Sequence, residues 1–284
     1  MEGIDQQELE RFISLALDED IKDGDHTSLA TIDPQDTSTA RLIVKDRGVI
    51  AGVAFAKKVF ETLDPLSKME IFIQDGSAVN YGDIAFTITC NTQALLKGER
   101  LVLNTMQRLS GTASMSRKFQ EAVHGLDVHI LDTRKTTPLM RFLEKWAVLQ
   151  GGCENYRIGL YDWIMIKDNH VDACGSHTKA IEKTIQYLKE TDKELDITVE
   201  VRNLDELQEV LNIGQVRRIM LDNFDLADLK AAVEIVDGRF ETEASGGVNL
   251  NTVRPIAETG VNYISVGALT HSAGSLDMSL KVIK

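Results

Sequence analysis

The chain has 284 residues, which is enough for one large domain or two smaller ones with a substantial core. Its formal net charge is −13 and it contains no block of Lys or Arg residues, so the composition disfavours a nucleic-acid-binding surface. We see no signal peptide, no apolar run that would span a bilayer and no CxxC pair among the 3 cysteines, so we expect a cytoplasmic protein without a disulfide framework or a zinc site.

The first part of the chain predicts a separate layer of mixed helices and strands. Residues 6–20 have apolar side chains at helical spacing, residues 38–52 are typical of two short strands around a turn, and residues 52–63 return to helical spacing. Residues 68–79 and 81–90 alternate apolar and polar side chains as strands do, and residues 97–124 predict one long helix or two. We assign residues 1–110 to this N-terminal domain and expect the tail, residues 273–284, to return to it.

From residue 127 onward, short apolar runs alternate with helical stretches, which is the pattern of βα units and a parallel sheet. Six such units are visible rather than the eight of a closed barrel, so we expect an incomplete parallel α/β barrel over residues 111–272. The predicted strands are residues 129–131, 163–166, 197–201, 218–221, 240–244 and 263–266.

Polar and small residues follow these predicted strands, and in a parallel barrel all strand ends open on one face, where active sites are built. Cations, carboxylates and glycine turns would therefore meet there, which suits a ligand with several negative groups and hydroxyls, together with a divalent metal. The cations after strands are Arg134, Lys135 and Lys167, and Arg157 lies just upstream of the second strand; the carboxylates are Asp168, Glu200 and Asp222; the turns are Ser245-Gly246-Gly247 and Gly267-Ala268.

Each residue type suggests a role and also has a purely structural alternative. Arginines can grip carboxylate or phosphate with two hydrogen bonds, and a Ser-Gly-Gly turn before a helix can cradle phosphate with backbone N–H groups. Glu200 and Asp222 could bind Mg²⁺ or accept hydrogen bonds from a ribose diol. The alternatives are surface ion pairs for the cations, structural ion pairs for the acids and a plain tight turn for the glycines.

Seven segments together resemble the quinolinate phosphoribosyltransferase family, also called nicotinate-nucleotide pyrophosphorylase (carboxylating). The resemblance runs in order over nearly the whole chain, and the segments DTRKTTP and IKDNH are especially specific. The segments are ERLVLNTMQRLSGTAS (99–114), LDTRKTTP (131–138), NYRIGLYDWIMIKDNH (155–170), VEVRNLDE (199–206), IMLDNF (219–224), EASGGV (243–248) and ISVGALTHS (264–272).

The resemblance implies an N-terminal α/β sandwich and an open α/β barrel in a homodimer or higher homo-oligomer with shared active sites. It implies a glycosyltransferase that joins quinolinate to 5-phosphoribosyl 1-pyrophosphate with Mg²⁺, giving nicotinate mononucleotide, pyrophosphate and CO₂ in NAD biosynthesis.

The resemblance also implies the roles of individual residues. Lys135, Glu200 and Asp222 would be catalytic, with Glu200 and Asp222 also near the metal, and Arg100 would reach quinolinate across the dimer interface. The implied substrate-binding residues are Arg100, Thr133, Arg134, Lys135, Tyr156, Arg157, Lys167, Glu200, Asp222, Ser245, Gly246, Gly247, Val266, Gly267, Ala268 and His271.

The chain departs from the family at Tyr156, where many relatives have a histidine that contacts quinolinate. A tyrosine can donate a hydrogen bond but is not a cation at neutral pH. Two alternatives therefore stay open: a paralogue of the family associated with molybdate transport, with a different pyridine carboxylate as substrate, and a non-catalytic protein that binds phosphosugars.

Overall fold

The structure is a computed structural model that describes residue 1 and residues 3–283. The chain divides into two compact units. Unit 1 comprises Met1–Arg117, Thr136–Gly152 and Leu269–Lys284, and unit 2 comprises Lys118–Lys135 and Cys153–Ala268. Residues 111–117 and 136–152, which the sequence analysis places with the barrel, thus belong to unit 1 by compactness.

The helices of the described chain include one very long helix that the sequence left as one or two. In chain order they are α1 (Gln6–Ile21), α2 (His26–Thr31), α3 (Val53–Leu63), α4 (Thr92–Ala122), α5 (Arg141–Gln150), α6 (Asp168–Cys174), α7 (His177–Thr191), α8 (Leu204–Ile213), α9 (Leu226–Val236), α10 (Val253–Ala257) and α11 (Ala268–His271).

The strands occur where the alternating and apolar runs predict them. In chain order they are β1 (Thr37–Val44), β2 (Gly48–Val49), β3 (Lys68–Ile71), β4 (Ala78–Val79), β5 (Ile84–Asn91), β6 (His129–Leu131), β7 (Ile164–Ile166), β8 (Ile197–Val201), β9 (Arg218–Asp222), β10 (Glu241–Ser245), β11 (Tyr263–Ser265) and β12 (Met278–Ile283).

Unit 1 is built on an antiparallel sheet with the strand order β12-β1-β5-β3. The strands alternate because one face is buried: Ala40, Leu42 and Val44 are buried on β1. Helix α3 packs on β5 and contributes Phe55 and Phe60 to the same core. Pairing of β12 with β1 makes the C-terminal tail part of this unit.

Unit 2 is built on a parallel sheet of six strands with the order β6-β11-β10-β9-β8-β7. Helices α8, α9 and α10 contact strands of this sheet, as βα units require. Two of the crossover helices begin at side chains that cap them, Asn203 for α8 and Asp225 for α9. The sheet stays open at β6 and β7, so the predicted fold class is confirmed.

The register of the parallel strands decides which side chains share a face. Glu200 lies beside Met220, which lies beside Glu243, and Asp222 lies beside Ser245. Because side chains alternate along a strand, all of these project from one face. The opposite face carries the apolar residues that the helices cover: Val199, Val201, Ile219, Leu221, Ala244 and Ile264. The face that carries Glu200, Glu243, Asp222 and Ser245 is therefore polar, and it is not the face on which the helices pack.

Among the described helices, none combines the length and the apolar composition that a bilayer crossing needs.

Candidate active site

Four strands of unit 2 end at residues that the sequence analysis selected. Lys167 directly follows β7, Glu200 is the fourth residue of β8, and Asp222 and Ser245 are the last residues of β9 and β10. The strands are parallel and paired in register, so these four side chains occupy one edge and one face of the sheet. The sequence prediction that they share the carboxyl end of the sheet thus follows from the topology.

Lys167 and Glu200 form the first pair across this edge. Lys167 Nζ lies 3.1 Å from Glu200 Oε2, and the Glu200 side chain is 7% exposed while that of Lys167 is 45% exposed. The ion pair gives this buried side chain a cationic partner, and a buried carboxylate without a partner is costly. No side chain of the described residues hydrogen bonds to Glu200 Oε1, so one carboxylate oxygen and the exposed part of Lys167 remain for a ligand.

Asp222 is held by the last residue of β10 and by the residue that follows β9. Ser245 Oγ donates to Asp222 Oδ1 at 2.5 Å, and Asn223 Nδ2 donates to Oδ2 at 2.7 Å. The Asn223 N–H donates to the Ser245 carbonyl at 2.9 Å, which locks the ends of β9 and β10 together. These bonds orient a carboxylate next to the predicted phosphate turn.

Glycine is required at position 246 of that turn for two reasons. Its φ is +93°, a conformation that L side chains rarely adopt, and a Cβ there would lie 2.1 Å from Asn223 Oδ1. Gly247 also has a positive φ, +60°. The backbone therefore approaches Asn223 as closely as the absence of a side chain allows, and both glycines are exposed.

Arg134 and Arg157 are two partly buried cations with little compensation. Arg134 Nε is buried without a hydrogen-bond partner in the described structure. Arg157 Nη1 donates to the Trp163 carbonyl at 3.3 Å. Burial lowers the pKa of the Arg157 guanidinium, and the positive charge of Arg134 lowers it further. Within the described part of the chain no ion pair joins either guanidinium to a carboxylate, so the two cations suit an anionic ligand.

The remaining residues predicted in unit 2 lie at the ends of β6 and β11. Thr133 Oγ1 accepts the Lys135 N–H at 3.1 Å, and the Lys135 side chain is exposed. The Val266 side chain is fully buried and its N–H donates to the Leu131 carbonyl at 2.8 Å. Gly267 and Ala268 follow, partly exposed, at the start of α11. Contacts of these residues with a substrate stay predictions.

Arg100 and His271 belong to unit 1, whereas the other predicted residues belong to unit 2. Arg100 is an exposed residue of α4, and no ion pair fixes it within the described chain. His271 is exposed at the end of α11, and its Nδ1 lies 2.7 Å from Ser272 Oγ. Their predicted roles, at the partner's quinolinate and near the phosphates, remain predictions.

Tyr156 is buried, and its predicted contact with substrate stays a prediction. It is 8% exposed, packs against Leu131 and Met220, and its hydroxyl lies 2.6 Å from Thr198 Oγ1. Its N–H donates to Asp132 Oδ1 at 2.9 Å. Burial raises the pKa of the Tyr156 hydroxyl, and the charge of Glu243 raises it further, so the side chain is neutral. Its hydroxyl is used inside the protein.

Tyr156 takes part in a largely buried polar layer that was not predicted from the sequence, formed by Trp163, Thr198, Arg218, Glu243 and Ser265. A signal for it was present. Strands of a parallel sheet covered on both faces are normally apolar throughout. The strands Ile197–Val201 and Glu241–Ser245 instead place Thr198 and Glu243 two residues before the predicted site residues Glu200 and Ser245. Polar residues in that alternation indicate a polar interior.

The donor set at the strand ends fits a magnesium ion in part. Glu200 and Asp222 project from the same face of adjacent strands and supply oxygen ligands, which Mg²⁺ prefers. No group of three or more His, Cys, Asp or Glu residues that could hold a metal occurs among the described residues. An ion there would therefore need oxygens from a substrate, as Mg²⁺ in phosphate chemistry commonly does.

A parallel α/β sheet whose carboxyl edge carries cations, two carboxylates and a glycine turn defines a class of enzyme that acts on phosphorylated, polyanionic substrates. Comparison with known proteins specifies that class. The family profile described as "Quinolinate phosphoribosyl transferase, C-terminal domain" matches residues 112–281, and the profile for the N-terminal domain matches residues 25–110. The chain belongs to the quinolinate phosphoribosyltransferase family, and the predicted resemblance is confirmed.

Individual relatives agree with the family over nearly the full length. The chain is 43% identical over 290 residues to quinolinate phosphoribosyltransferase (decarboxylating) 2b, mitochondrial, of Nicotiana tabacum, covering 97% of this chain and 82% of that protein. It is 41% identical over 264 residues to the probable nicotinate-nucleotide pyrophosphorylase (carboxylating) of Bacillus subtilis (strain 168), covering 93% and 90%. The crystal structure of NadC from Streptococcus pyogenes matches with a TM-score of 0.93 and 35% identity over 100% of both chains.

The close approach of Gly246 to Asn223 predicts a specific effect of Gly246→Ala. The added Cβ must displace Asn223, which orients Asp222, so we expect the affinity for ribose 5-phosphate to fall at least about tenfold, since small displacements at such sites are costly. Isothermal titration calorimetry measures this.

Gly260→Ala is the matched control for backbone strain. Gly260 has nearly the same φ, +91°, but its Cβ would make only an ordinary 3.5 Å contact with Val233. Both variants should lose stability through the positive φ, Gly246→Ala more because its Cβ also displaces Asn223, while only Gly246→Ala loses affinity. Equal affinities in the two variants would contradict the role assigned to the turn.

Proposed function

We propose that the chain transfers the phosphoribosyl group of 5-phosphoribosyl 1-pyrophosphate to quinolinate, with loss of CO₂, to give nicotinate mononucleotide and pyrophosphate. The observation that carries the proposal is a pair of arginines, Arg134 after β6 and Arg157 before β7, which lack carboxylate partners in the described structure. A dianion such as quinolinate supplies the missing negative charge. Family membership specifies the reaction.

Quinolinate would lie on the cationic side of the strand ends. Arg134 and Arg157 would bind its two carboxylates, since guanidinium groups match carboxylates with paired hydrogen bonds. Lys167 and Lys135 would add point charges, Lys135 on the side of the pyrophosphate. This holds two mutually repelling anions together, and it fixes the ring nitrogen in line with the anomeric carbon of the ribose.

The phosphoribosyl donor would lie over the ends of β8 to β11. The backbone of residues 245–247 and 266–268 would take the 5-phosphate, and Glu200 and Asp222 would lie near the ribose. As pyrophosphate leaves, positive charge develops on the ribose ring, and the two carboxylates are correctly signed to stabilise it. Mg²⁺, which we propose as cofactor, would neutralise pyrophosphate oxygens when bound by Glu200 and Asp222.

Decarboxylation requires no general base from the protein. Attack of the ring nitrogen on the anomeric carbon makes the ring a pyridinium, with the electron pair of the breaking bond leaving on pyrophosphate. When the adjacent C–COO⁻ bond breaks, CO₂ departs and the electron pair stays on the ring carbon next to the cationic nitrogen. A proton from solvent then completes nicotinate mononucleotide.

A product assay tests the proposal directly. Purified protein with quinolinate, 5-phosphoribosyl 1-pyrophosphate and Mg²⁺ should form nicotinate mononucleotide and one equivalent of CO₂. Nicotinate in place of quinolinate should give no product, because it lacks the second carboxylate. Removal of Mg²⁺ by a chelator should abolish turnover, and added Mg²⁺ should restore it.

Other outcomes would point elsewhere. Turnover of a different pyridine carboxylate, with none of quinolinate, would favour the paralogue with another substrate. Binding of the phosphosugar without any turnover would favour a non-catalytic binding protein.

We further propose a homodimer in which Arg100 completes the quinolinate site of the partner subunit. The support is that Arg100 is exposed on α4 and no ion pair within the described chain holds it. Chains carrying Arg100→Ala should be inactive, and so should chains carrying Lys167→Ala. Mixed dimers of the two would contain one intact site and should recover up to about a quarter of wild-type activity, half of the dimers being mixed and each with one working site of two.

Failure of the mixed chains to recover any activity, with subunit exchange verified by mass spectrometry, would contradict a shared site. A control mixture of two differently tagged Lys167→Ala chains should stay inactive.

We also propose a cytoplasmic location. The three cysteines, Cys90, Cys153 and Cys174, form no disulfide among the described residues, which suits a reducing compartment. The tobacco relative is named as mitochondrial, so fractionation of the source cells is the measurement that decides the compartment.

A further inference from the structure

A chain of hydrogen bonds lies one layer below the strand ends of unit 2. Trp163 Nε1 donates to Thr198 Oγ1 at 2.8 Å, and Thr198 Oγ1 lies 2.6 Å from the Tyr156 hydroxyl oxygen. An indole N–H can only donate, so Thr198 accepts from Trp163. The hydroxyl hydrogen of Thr198 remains available to Tyr156, and the second lone pair of Thr198 Oγ1 can equally accept from the Tyr156 hydroxyl. The three side chains thus form a continuous chain in which the bond between the two hydroxyls can run in either direction.

The chain ends at a buried carboxylate. The Tyr156 hydroxyl also hydrogen bonds with Glu243, whose side chain is 0% exposed and which accepts from Ser265 Oγ. Arg218 Nη1 lies 3.3 Å from Glu243 Oε2, so the carboxylate has a cationic partner. The Arg218 guanidinium in turn lies over the Tyr263 ring, 3.6 Å from its centroid, and 5.1 Å from that of Tyr156. Every polar group of the layer is therefore satisfied inside the protein.

Each member of the chain is either hydrogen bonded to a residue of the candidate active site or lies within two residues of one in the sequence. Tyr156 directly precedes Arg157, and the Trp163 carbonyl accepts from Arg157 Nη1. Thr198 lies two residues before Glu200 on the same face of β8. The same bonds that satisfy the buried layer thus connect the segment that carries Arg157 with the strand that carries Glu200.

We propose that the Trp163–Thr198–Tyr156–Glu243 chain sets the spacing between Arg157 and Glu200, and that Tyr156 is a positioning residue that does not contact substrate. This inference rests on the proposed function, because it names the role of the layer below that site. Tyr156 then compensates for the missing histidine by holding Arg157 in place. A buried hydrogen-bonded network is suited to this because a broken link leaves a polar group unsatisfied.

The Ser245–Gly247 turn connects to this chain only along β10, where Glu243 lies two residues before Ser245, and Glu243 keeps its bonds to Arg218 and Ser265 when Tyr156 or Thr198 is changed. Ser245 and Asn223 hold it through Asp222, without a link to Thr198 or Tyr156 in the described contacts. Loss of the chain should therefore disturb the quinolinate side of the site and spare the phosphoribosyl side. A residue that only stabilised the fold would not produce this difference between the two substrates.

Two variants interrupt the chain at different links. Tyr156→Phe removes one hydroxyl and keeps the ring, and Thr198→Val removes the central hydroxyl at nearly constant volume. Each should lower kcat/KM for quinolinate about tenfold, since a small misplacement of a substrate-binding group has effects of this size or larger. The KM for 5-phosphoribosyl 1-pyrophosphate should change less than about twofold. The double variant should have a kcat/KM for quinolinate no lower than that of the less active single variant, because the effects of coupled residues are not additive.

Two control variants keep the test specific. Thr198→Ser retains the hydroxyl and should restore kcat/KM to within about twofold of wild type. Tyr263→Phe removes a hydroxyl from the same region that has no hydrogen-bond partner among the described residues, and it keeps the ring that stacks on Arg218. It should behave as wild type.

The outcomes separate this inference from the proposed function. Wild-type turnover together with an unchanged kcat/KM in Tyr156→Phe would overturn the inference alone, whereas absence of turnover in wild type would overturn the proposed function. If kcat/KM fell equally for both substrates, the layer would serve stability and the positioning role would be wrong. Loss of the native fold in both Tyr156→Phe and Thr198→Val would have the same meaning. If Tyr156→His raises affinity for quinolinate with a pH dependence near the pKa of histidine, position 156 contacts substrate and the inference is wrong.

Discussion

Two arginines held close together without carboxylate partners are the constraint on which the candidate active site depends. Burial and the charge of Arg134 lower the pKa of Arg157, and the Nε of Arg134 is buried and unsatisfied in the described structure. A buried donor without a partner costs about 1–3 kcal/mol. Stability of the unliganded protein is thus reduced for a site that a dianion completes, which is the familiar trade-off between stability and activity.

Other charged residues of unit 2 are paired with one another in the described structure, unlike these two arginines. The parallel register places Glu200 and Asp222 at one edge, where Lys167 pairs with the more buried of the two acids. Beneath them, Arg218 is paired with Glu243 and covered by aromatic rings, so this interior cation is neutralised where Arg134 and Arg157 are not. The charge of Arg218 in the buried layer is therefore compensated, whereas the charges of Arg134 and Arg157 in the site are not, within the part of the chain that the structure describes.

The sequence was sufficient for the elements and for the edge of the sheet where the site lies. Apolar runs locate the strands, and in a parallel sheet the residues after each run must meet, which is why Lys167, Glu200 and Asp222 could be selected without a structure. The buried layer could not be derived in the same way. Whether the Tyr156 hydroxyl faces a ligand or Thr198 depends on packing across four strands, and local sequence patterns carry no information about that distance.

The most direct test of this account is the thermal unfolding of Arg134→Met, with and without quinolinate. The substitution removes the buried unsatisfied donor and the repulsion with Arg157. The account predicts an unfolding midpoint at least about 2 °C above wild type without ligand, and no shift when quinolinate is added. A lowered midpoint together with a wild-type shift by quinolinate would show that Arg134 serves the fold, and it would contradict the account.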